Sequence, residues 1–383
     1  WEKPPVEGSS QQNVRSFHKN RGASLHHSEK AIEVYSPAIQ QKHCAMLSNG
    51  NFTTVFCNTG EEISFCGGVY VNARNFTGEY GNFFFIKDIR AKRFFSLTAA
   101  PVFGRSERCT AVFEPDSIIY SKKEAGLETC MKIAVSPVIN AQVRKITIRN
   151  TQNKNSEFEL VNYLEPVLEG EEQNLAHPVY SAMFVNVHFS KSHRAVILKR
   201  TPRHEGDKAA YACVCVCCDR QCDVTGTTSK KEFIGRNPSI AEAQHLKSGK
   251  NKGKKGTTPL ASLSVTLSIP QGKTVQAAYV TAVAESMNEL YEITRGFETF
   301  DGVDRVFALA YEHSLTSVQH EEVNATIFRL FNALLTRIYF PQPSSSASGK
   351  RSDLWRLGIS GDLPIICYNC SQNCERTVRL LLQ

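Results

Sequence analysis

"AQVRKITIRNTQNKNSEFELVNYLEPVL", residues 141–168, decides the fold. Val143, Ile146 and Ile148 are apolar, set among the charged Arg144, Lys145 and Arg149. "TQNKNS" then supplies turn residues, and Phe158, Leu160 and Asn162 share one face of the returning segment. Side chains alternate across a strand, so this spacing predicts an antiparallel hairpin with one face on a core and the other toward water.

The same texture extends in both directions. "MLSNGNFTTVFCNTG", "EISFCGGVYVNAR", "GNFFFIKDI", "CTAVFEPDSIIYSKK" and "LETCMKIAVSP" precede the hairpin. "VYSAMFVNVHF", "RAVILKRTP", "YACVCVCC", "LASLSVTLSIP" and "TVQAAYVTAVA" follow it. Short β-branched and aromatic runs separated by turn signals predict an antiparallel sandwich of about twelve strands or more. That many strands call for two large stacked sheets. His177, ahead of Pro178, is expected to make a structural turn at the start of a strand.

At Glu285 the period changes. Met287, Leu290, Tyr291 and Thr294 recur at helical spacing, with Ser286 placed to cap and Gly296 to end the helix. "FDGVDRVFALAYEHSLTSVQH" continues the helical pattern. In "EEVNATIFRLFNALLTRIYF", Ile327, Leu330, Phe331, Leu334, Leu335 and Ile338 form an apolar stripe. The chain therefore reads as mainly β with α: a polar arm or linker over 1–40, a large antiparallel β-sandwich over 41–284, a helical linker over 285–340, and a further helical region from 341 to 383. "LWRLGISGDLPI" (354–365) reads as a joint, and "ERTVRLLLQ" as the start of another helix.

Composition sets limits. The chain has 383 residues, 41% hydrophobic and 21% charged, enough for a sizeable core. It opens on Trp1 without a leader-like segment, and no apolar run reaches the roughly eighteen residues a membrane helix needs. The net charge is +8, but the densest basic run, "KSGKNKGKKG" (247–256), has no aromatic residue on which a base could stack, so it reads as a solvated loop and not as a nucleic-acid site. Thirteen cysteines with no sign of secretion favour reduced thiols and a cytoplasmic compartment. Cys213, Cys215 and Cys217 fall at alternate positions and read as fillers of one buried strand face. Cys367, Cys370 and Cys374 lack a fourth ligand, so no metal is expected.

A set of ordered stretches resembles glycoside hydrolase family 94, formerly glycosyltransferase family 36, in its cyclic β-1,2-glucan synthase and 1,2-β-oligoglucan phosphorylase branch. They are "LSNGNFTTVFCNTG" (47–60), "YGNFFFIKD" (80–88), "VRKITIRNT" (143–151), "LVNYLEPVL" (160–168), "AHPVYSAMFV" (176–185), "LKRTPR" (198–203), "EFIGRNPSI" (232–240) and "LWRLGISGDLPI". The resemblance implies a sandwich, a helical linker and the start of an (α/α)6 barrel at 341–383. It also implies a carbohydrate-active enzyme on β-glucans, by inverting phosphorolysis or by chain-length control of β-1,2-glucan. Inorganic phosphate would be the co-substrate and glucose 1-phosphate the product, without a cofactor. One Asp as general acid suffices there, because phosphate replaces the activated water.

No residue of this chain matches that acid, which is expected beyond residue 383, so no catalytic residue is assigned and the chain alone is expected to be inactive. The resemblance also implies a homodimer. Five residues are candidate sugar contacts. Arg74 and Asp88 flank the "YGNF" loop; Arg236 could salt-bridge or reach a partner subunit's active site; Trp355 could stack a sugar or anchor the joint; Asp362 reads as a loop anchor before a catalyst. The segment "EEISFCGGVYVNAR" departs from the family in keeping only Arg74 of its aromatic and basic residues, and "ICYNCSQNC" replaces a short apolar strand. The alternative reading is a non-catalytic sandwich that binds glucan or mediates assembly.

Overall fold

The computed structural model describes residues 32–35, 42–72, 81–91, 93–104, 106–203, 210–236, 239–248, 258–320, 325–340, 351–358 and 360. In chain order the strands are β1 (Ile32–Tyr35), β2 (Cys44–Ser48), β3 (Phe52–Cys57), β4 (Glu62–Cys66), β5 (Val69–Asn72), β6 (Asn82–Asp88), β7 (Arg93–Ser96), β8 (Arg108–Phe113), β9 (Ile118–Glu124) and β10 (Leu127–Val135). They continue as β11 (Ala141–Asn150), β12 (Ser156–Leu164), β13 (Pro166–Glu169), β14 (Val185–Ser190), β15 (Ala195–Arg200), β16 (Ala210–Cys218), β17 (Asp223–Ser229), β18 (Pro259–Ile269) and β19 (Thr274–Ala284). The helices are α1 (Glu171–Ala176), α2 (Pro178–Ala182), α3 (Lys230–Ile234), α4 (Gln244–Ser248), α5 (Met287–Gly296), α6 (Phe300–His320), α7 (Ala325–Tyr339) and α8 (Arg351–Trp355).

Three antiparallel sheets result. One has nine strands in the order β1-β8-β9-β10-β11-β19-β16-β15-β14. Two have five, ordered β17-β18-β12-β6-β7 and β13-β5-β4-β3-β2. A single apolar cluster draws Ile146, Val214 and Tyr279 from the large sheet, Phe84, Leu160 and Leu263 from one small sheet, and Phe52, Phe56 and Val71 from the other. The large sheet therefore packs its inner face against both smaller sheets, which is the expected sandwich in an enlarged form.

The outer faces hold the departures from expectation. Residues of β16 alternate as expected, but both faces are buried: Ala212, Val214 and Val216 enter the sandwich core, while Cys213, Cys215 and Cys217 meet Leu290, Ile293, Val303 and Phe307 of α5 and α6. The helices α5 and α6 thus roof the large sheet, and Lys145 Nζ on β11 ties to Asp304 Oδ1 at 2.7 Å. The strand β12 likewise has no free water face along its second half. Val161 and Tyr163 pack on Phe233, Ile240 and Leu246 of the α3–α4 segment. Alternation in β11 also misled in one respect. Arg144 has the parity of Ile146 and Ile148, so it points into the sandwich core, where it is buried.

Three local readings are corrected. "IEVY" (32–35), taken as part of a polar arm, alternates apolar and polar residues and pairs as β1 with β8. "VYSAMF" is not the first half of a strand: Pro178 occupies the first helical position of α2, where a missing N–H costs nothing, and His177 caps that helix with its carbonyl accepting from Ser181 N at 2.9 Å. The stripe on α7 is only partly covered, with Leu335 buried and Leu330 exposed.

The cap at Ser286 holds. Its Oγ accepts from Glu289 N at 3.2 Å, and Glu289 Oε2 accepts from Glu285 N at 3.0 Å. Ser286→Ala is expected to cost about 1 kcal/mol, read as a shift of the denaturation midpoint without change of slope. The chain divides into two compact units, Trp1–Thr336 and Arg337–Gln383. Of the second, the expected barrel start lies almost wholly outside the described residues.

Candidate functional site

Among the buried polar networks of the sandwich, two centre on an arginine at a core-parity position, Arg144 and Arg200. The first is buried between sheets. Arg144 Nη2 of β11 donates to Glu62 Oε2 of β4, with side-chain exposures of 3% and 1%. The guanidinium also donates to Gln142 Oε1 at 3.1 and 2.8 Å and lies 5.1 Å from the Phe84 ring. Gln142 Nε2 passes the network to Thr54 Oγ1 at 3.1 Å. Above it, Tyr120 Oη donates to the Cys57 carbonyl at 2.6 Å. Burial pushes the Glu62 carboxyl up from the ordinary carboxylate range, and Arg144 offsets part of that rise. This pair is sealed from solvent, so its role is structural.

The second constellation reaches the surface. The pairing of β13 with β5 is irregular between Pro166 and Glu169, and Leu168 adopts φ 54 there. The inserted helices α1 and α2 follow, then β14 and β15. Arg200 ends β15 with the core parity of Val196 and Leu198, so the strand delivers a guanidinium to the edge of the core. Glu169 Oε1 forms ion pairs with Arg200 Nη2 and Arg203 Nη2, each at 2.7 Å; Arg203 Nη2 donates to Glu169 Oε2 at 2.8 Å, and Ser181 Oγ donates to that same oxygen. Arg200 Nη1 further donates to the carbonyls of Val167 at 3.2 Å and Ser181 at 3.1 Å. With both oxygens engaged, Glu169 acts as a pin for two arginines.

Arg203 lies over the rings of Tyr180 and Phe184, at 5.1 and 4.9 Å, and those rings meet edge to face at 5.1 Å. Tyr180, Val179 and Met183 are 53%, 81% and 64% exposed. The product is a solvent-facing ledge with an aromatic face, a fixed guanidinium beside it and apolar neighbours. An aromatic face next to a planar donor suits a pyranose, whose C–H face can stack while its hydroxyls accept from the guanidinium.

The five residues expected to touch sugar scatter. Arg74 and Asp362 lie outside the described residues. Asp88 anchors the β6–β7 turn, its Oδ1 accepting from Arg90 N at 3.0 Å and Ala91 N at 2.8 Å. Arg236 is exposed in the turn after α3, and no described hydrogen bond or ion pair joins it to Asp88. Trp355 is exposed in the second unit, where its Nε1 donates to the Ser360 carbonyl at 3.2 Å. The ledge residues went unnoticed individually, although Tyr180 and Arg203 fall inside two of the ordered stretches. The available signal was Arg200 on the otherwise apolar core face of its strand, after Val196 and Leu198.

Among the described residues no group of three or more His, Cys, Asp or Glu side chains could hold a metal ion. No described helix is long and apolar enough to cross a membrane.

The glycosyl hydrolase 94 supersandwich domain matches residues 28–299. A cyclic beta-(1,2)-glucan synthase, NdvB, of Rhizobium meliloti (strain 1021) is 25% identical over 359 residues, covering 89% of this chain and 13% of that protein. Solved structures with similar parts include a putative kojibiose phosphorylase from human microbiome, at 9% identity and TM-score 0.31, covering 80% of this chain and 31% of that one. A bacterial glucoamylase complexed with acarbose is 8% identical with TM-score 0.39, covering 78% and 42%.

Proposed function

The chain belongs to the glycosyl hydrolase 94 supersandwich family, and from that premise we propose that it is the sandwich and linker portion of an enzyme acting on β-glucans. Membership makes it a domain of a carbohydrate-active enzyme. The finer reading is inverting phosphorolysis, or chain-length control, of β-1,2-glucan, with inorganic phosphate or glucose 1-phosphate as the second substrate. The similarity to a cyclic beta-(1,2)-glucan synthase along most of this chain supports that linkage. In this reading the general acid lies outside residues 1–383, as the family resemblance implies, and Glu169, held by two arginines, is not that acid. The enzyme works as a homodimer.

The observation that carries the site is the exposed Tyr180 ring held beside Arg203. Here the ledge guides the glucan chain, its aromatic face stacking one glucose unit. Titration of sophoro-oligosaccharides into the chain tests this. Tyr180→Ala is expected to weaken binding about tenfold, roughly 1.4 kcal/mol, with the fold intact by circular dichroism. Unchanged affinity removes the ledge from the proposal. Glucose 1-phosphate formation from the same sugars by the full-length protein tests the reaction, and turnover by residues 1–383 alone would refute the placement of the acid.

A further inference from the structure

The cysteines divide sharply by surroundings. Cys213, Cys215 and Cys217 lie beneath α5 and α6, and burial is the main cause that pushes the Cys217 thiol up to about 12. Such thiols are inert at neutral pH. At the other end of β16 the chain runs Cys218-Asp-Arg-Gln-Cys222 into β17. Both terminal thiols are half-buried, pack against the rim of the sandwich core and flank one short turn, four residues apart. Arg194 Nη2 donates to Cys222 Sγ at 2.7 Å. The arginine sits in the β14–β15 turn with φ 48, and its carbonyl accepts from Val216 N at 3.2 Å, which locks the turn onto β16. Its Nε is buried without a hydrogen-bond partner. A strained backbone that delivers a cation to a thiol, with a second thiol at the start of the same short turn, is an arrangement that packing alone does not require.

We propose that Cys222 and Cys218 form a thiol–disulfide exchange site, with Cys222 as the attacking thiolate, Arg194 as its counter-cation and Cys218 as the resolving thiol, and that the site takes low-molecular-weight disulfides.

The Cys222 thiolate attacks one sulfur of the small disulfide. A mixed disulfide forms on Cys222 and one small thiolate leaves. Cys218 then gives its proton to that thiolate and attacks Cys222 Sγ, releasing the second small thiolate. The protein ends with a Cys218–Cys222 disulfide, and the small disulfide has been reduced to one thiol and one thiolate. The groups facing Cys222 set its ionisation. The Cys218 hydrogen bond and the charge and hydrogen bond of Arg194 lower it, while burial and Asp219 oppose them, and the balance brings the thiol down to about 7. Tyr279, behind the pair on β19, stays protonated because burial holds its hydroxyl well above the usual phenol range.

At pH 7 about half of such a thiol is ionised, against roughly 1% for an ordinary one. Lower basicity takes back a factor of about eight, leaving a rate advantage of roughly sixfold. The test incubates the full chain with oxidised glutathione and maps each cysteine by mass spectrometry across pH. Expected are first modification at Cys222, a rate midpoint near pH 7, and an internal Cys218–Cys222 bridge as product. Cys218→Ser should trap the glutathione adduct on Cys222. Arg194→Gln should raise the midpoint and remove most of the advantage, while Arg194→Lys, which keeps the charge, should restore part of it. Melting curves confirm that each variant is folded. The proposal is overturned if another described cysteine reacts first, if Cys218→Ser accumulates no adduct, or if the midpoint of folded Arg194→Gln equals that of the parent.

Discussion

Arg144→Met is expected to destabilise the chain by roughly 3–5 kcal/mol at pH 7, because it strands a buried carboxylate. Glu62 has its charge answered by Arg144 inside the sandwich, and both side chains are almost wholly out of water. Burial raises the folded carboxyl above its unfolded value. Between those two values the folded chain holds a proton that the unfolded chain has released, so this group makes stability fall as pH rises through that window. Without Arg144 the folded value climbs further and the window extends upward. The deficit of Arg144→Met should therefore shrink as pH is lowered from 7 to about 3, well below the ordinary carboxyl value of 4.5, where the carboxyl is neutral in both states. Urea denaturation at the two pH values reads this directly. The double variant Glu62→Gln, Arg144→Met should regain a large part of the loss at pH 7. An equal deficit at both pH values would show that lost packing against Phe84, and not charge, is what Arg144 supplies.

The second large effect concerns Gly60, which closes the β3–β4 turn with its N–H bonded to the Cys57 carbonyl at 2.9 Å. Its φ is +99, and a Cβ there would sit 2.3 Å from Thr98 Cβ. Gly60→Ala therefore combines left-handed backbone strain with a collision against a buried side chain. Each contributes about 1–3 kcal/mol, for a total of roughly 2–6 kcal/mol. Gly50 is the internal control. It has φ +91 with nothing within 4 Å of the added methyl, so Gly50→Ala carries the strain alone. Thermal unfolding of the two variants should separate by the cost of the collision, and equal losses would show that Thr98 moves aside freely.

These cases show where the sequence was legible. The hairpin of β11 and β12 could be read because alternation holds next to its turn, at Lys145–Asn150 and Ser156–Leu160, and α5 because Ser286 and the helical spacing agree. The cysteines of β16 were placed on one buried face, as observed. What alternation could not report is the cover on the second face. The α3–α4 segment meets Val161 and Tyr163, and the helices after Glu285 meet Cys213 and Val280, across long sequence separations. Charges on core parity were the other blind spot. Arg144 and Arg200 each have an apolar neighbour on the same face, Ile146 and Leu198, and each finds its carboxylate on a remote strand, Glu62 or Glu169. The family resemblance located the stretches that build the ledge, but only the bulge near Leu168 and the turn into α2 bring Tyr180, Arg203 and Glu169 together.

The place of β19 has a consequence in time. Among the described strands it is the last to be made, yet it sits in the middle of the large sheet, bonded to β11 on one side and β16 on the other. At synthesis rates of about 5–20 residues per second, β11 waits several seconds for this neighbour. Through that interval two long strands present open edges rich in Val, Ile and Cys, the kind of edge that recruits other chains. A nascent chain of this design depends on being shielded until residue 284 has emerged, and fragments that stop short of Thr274 should collect as insoluble material.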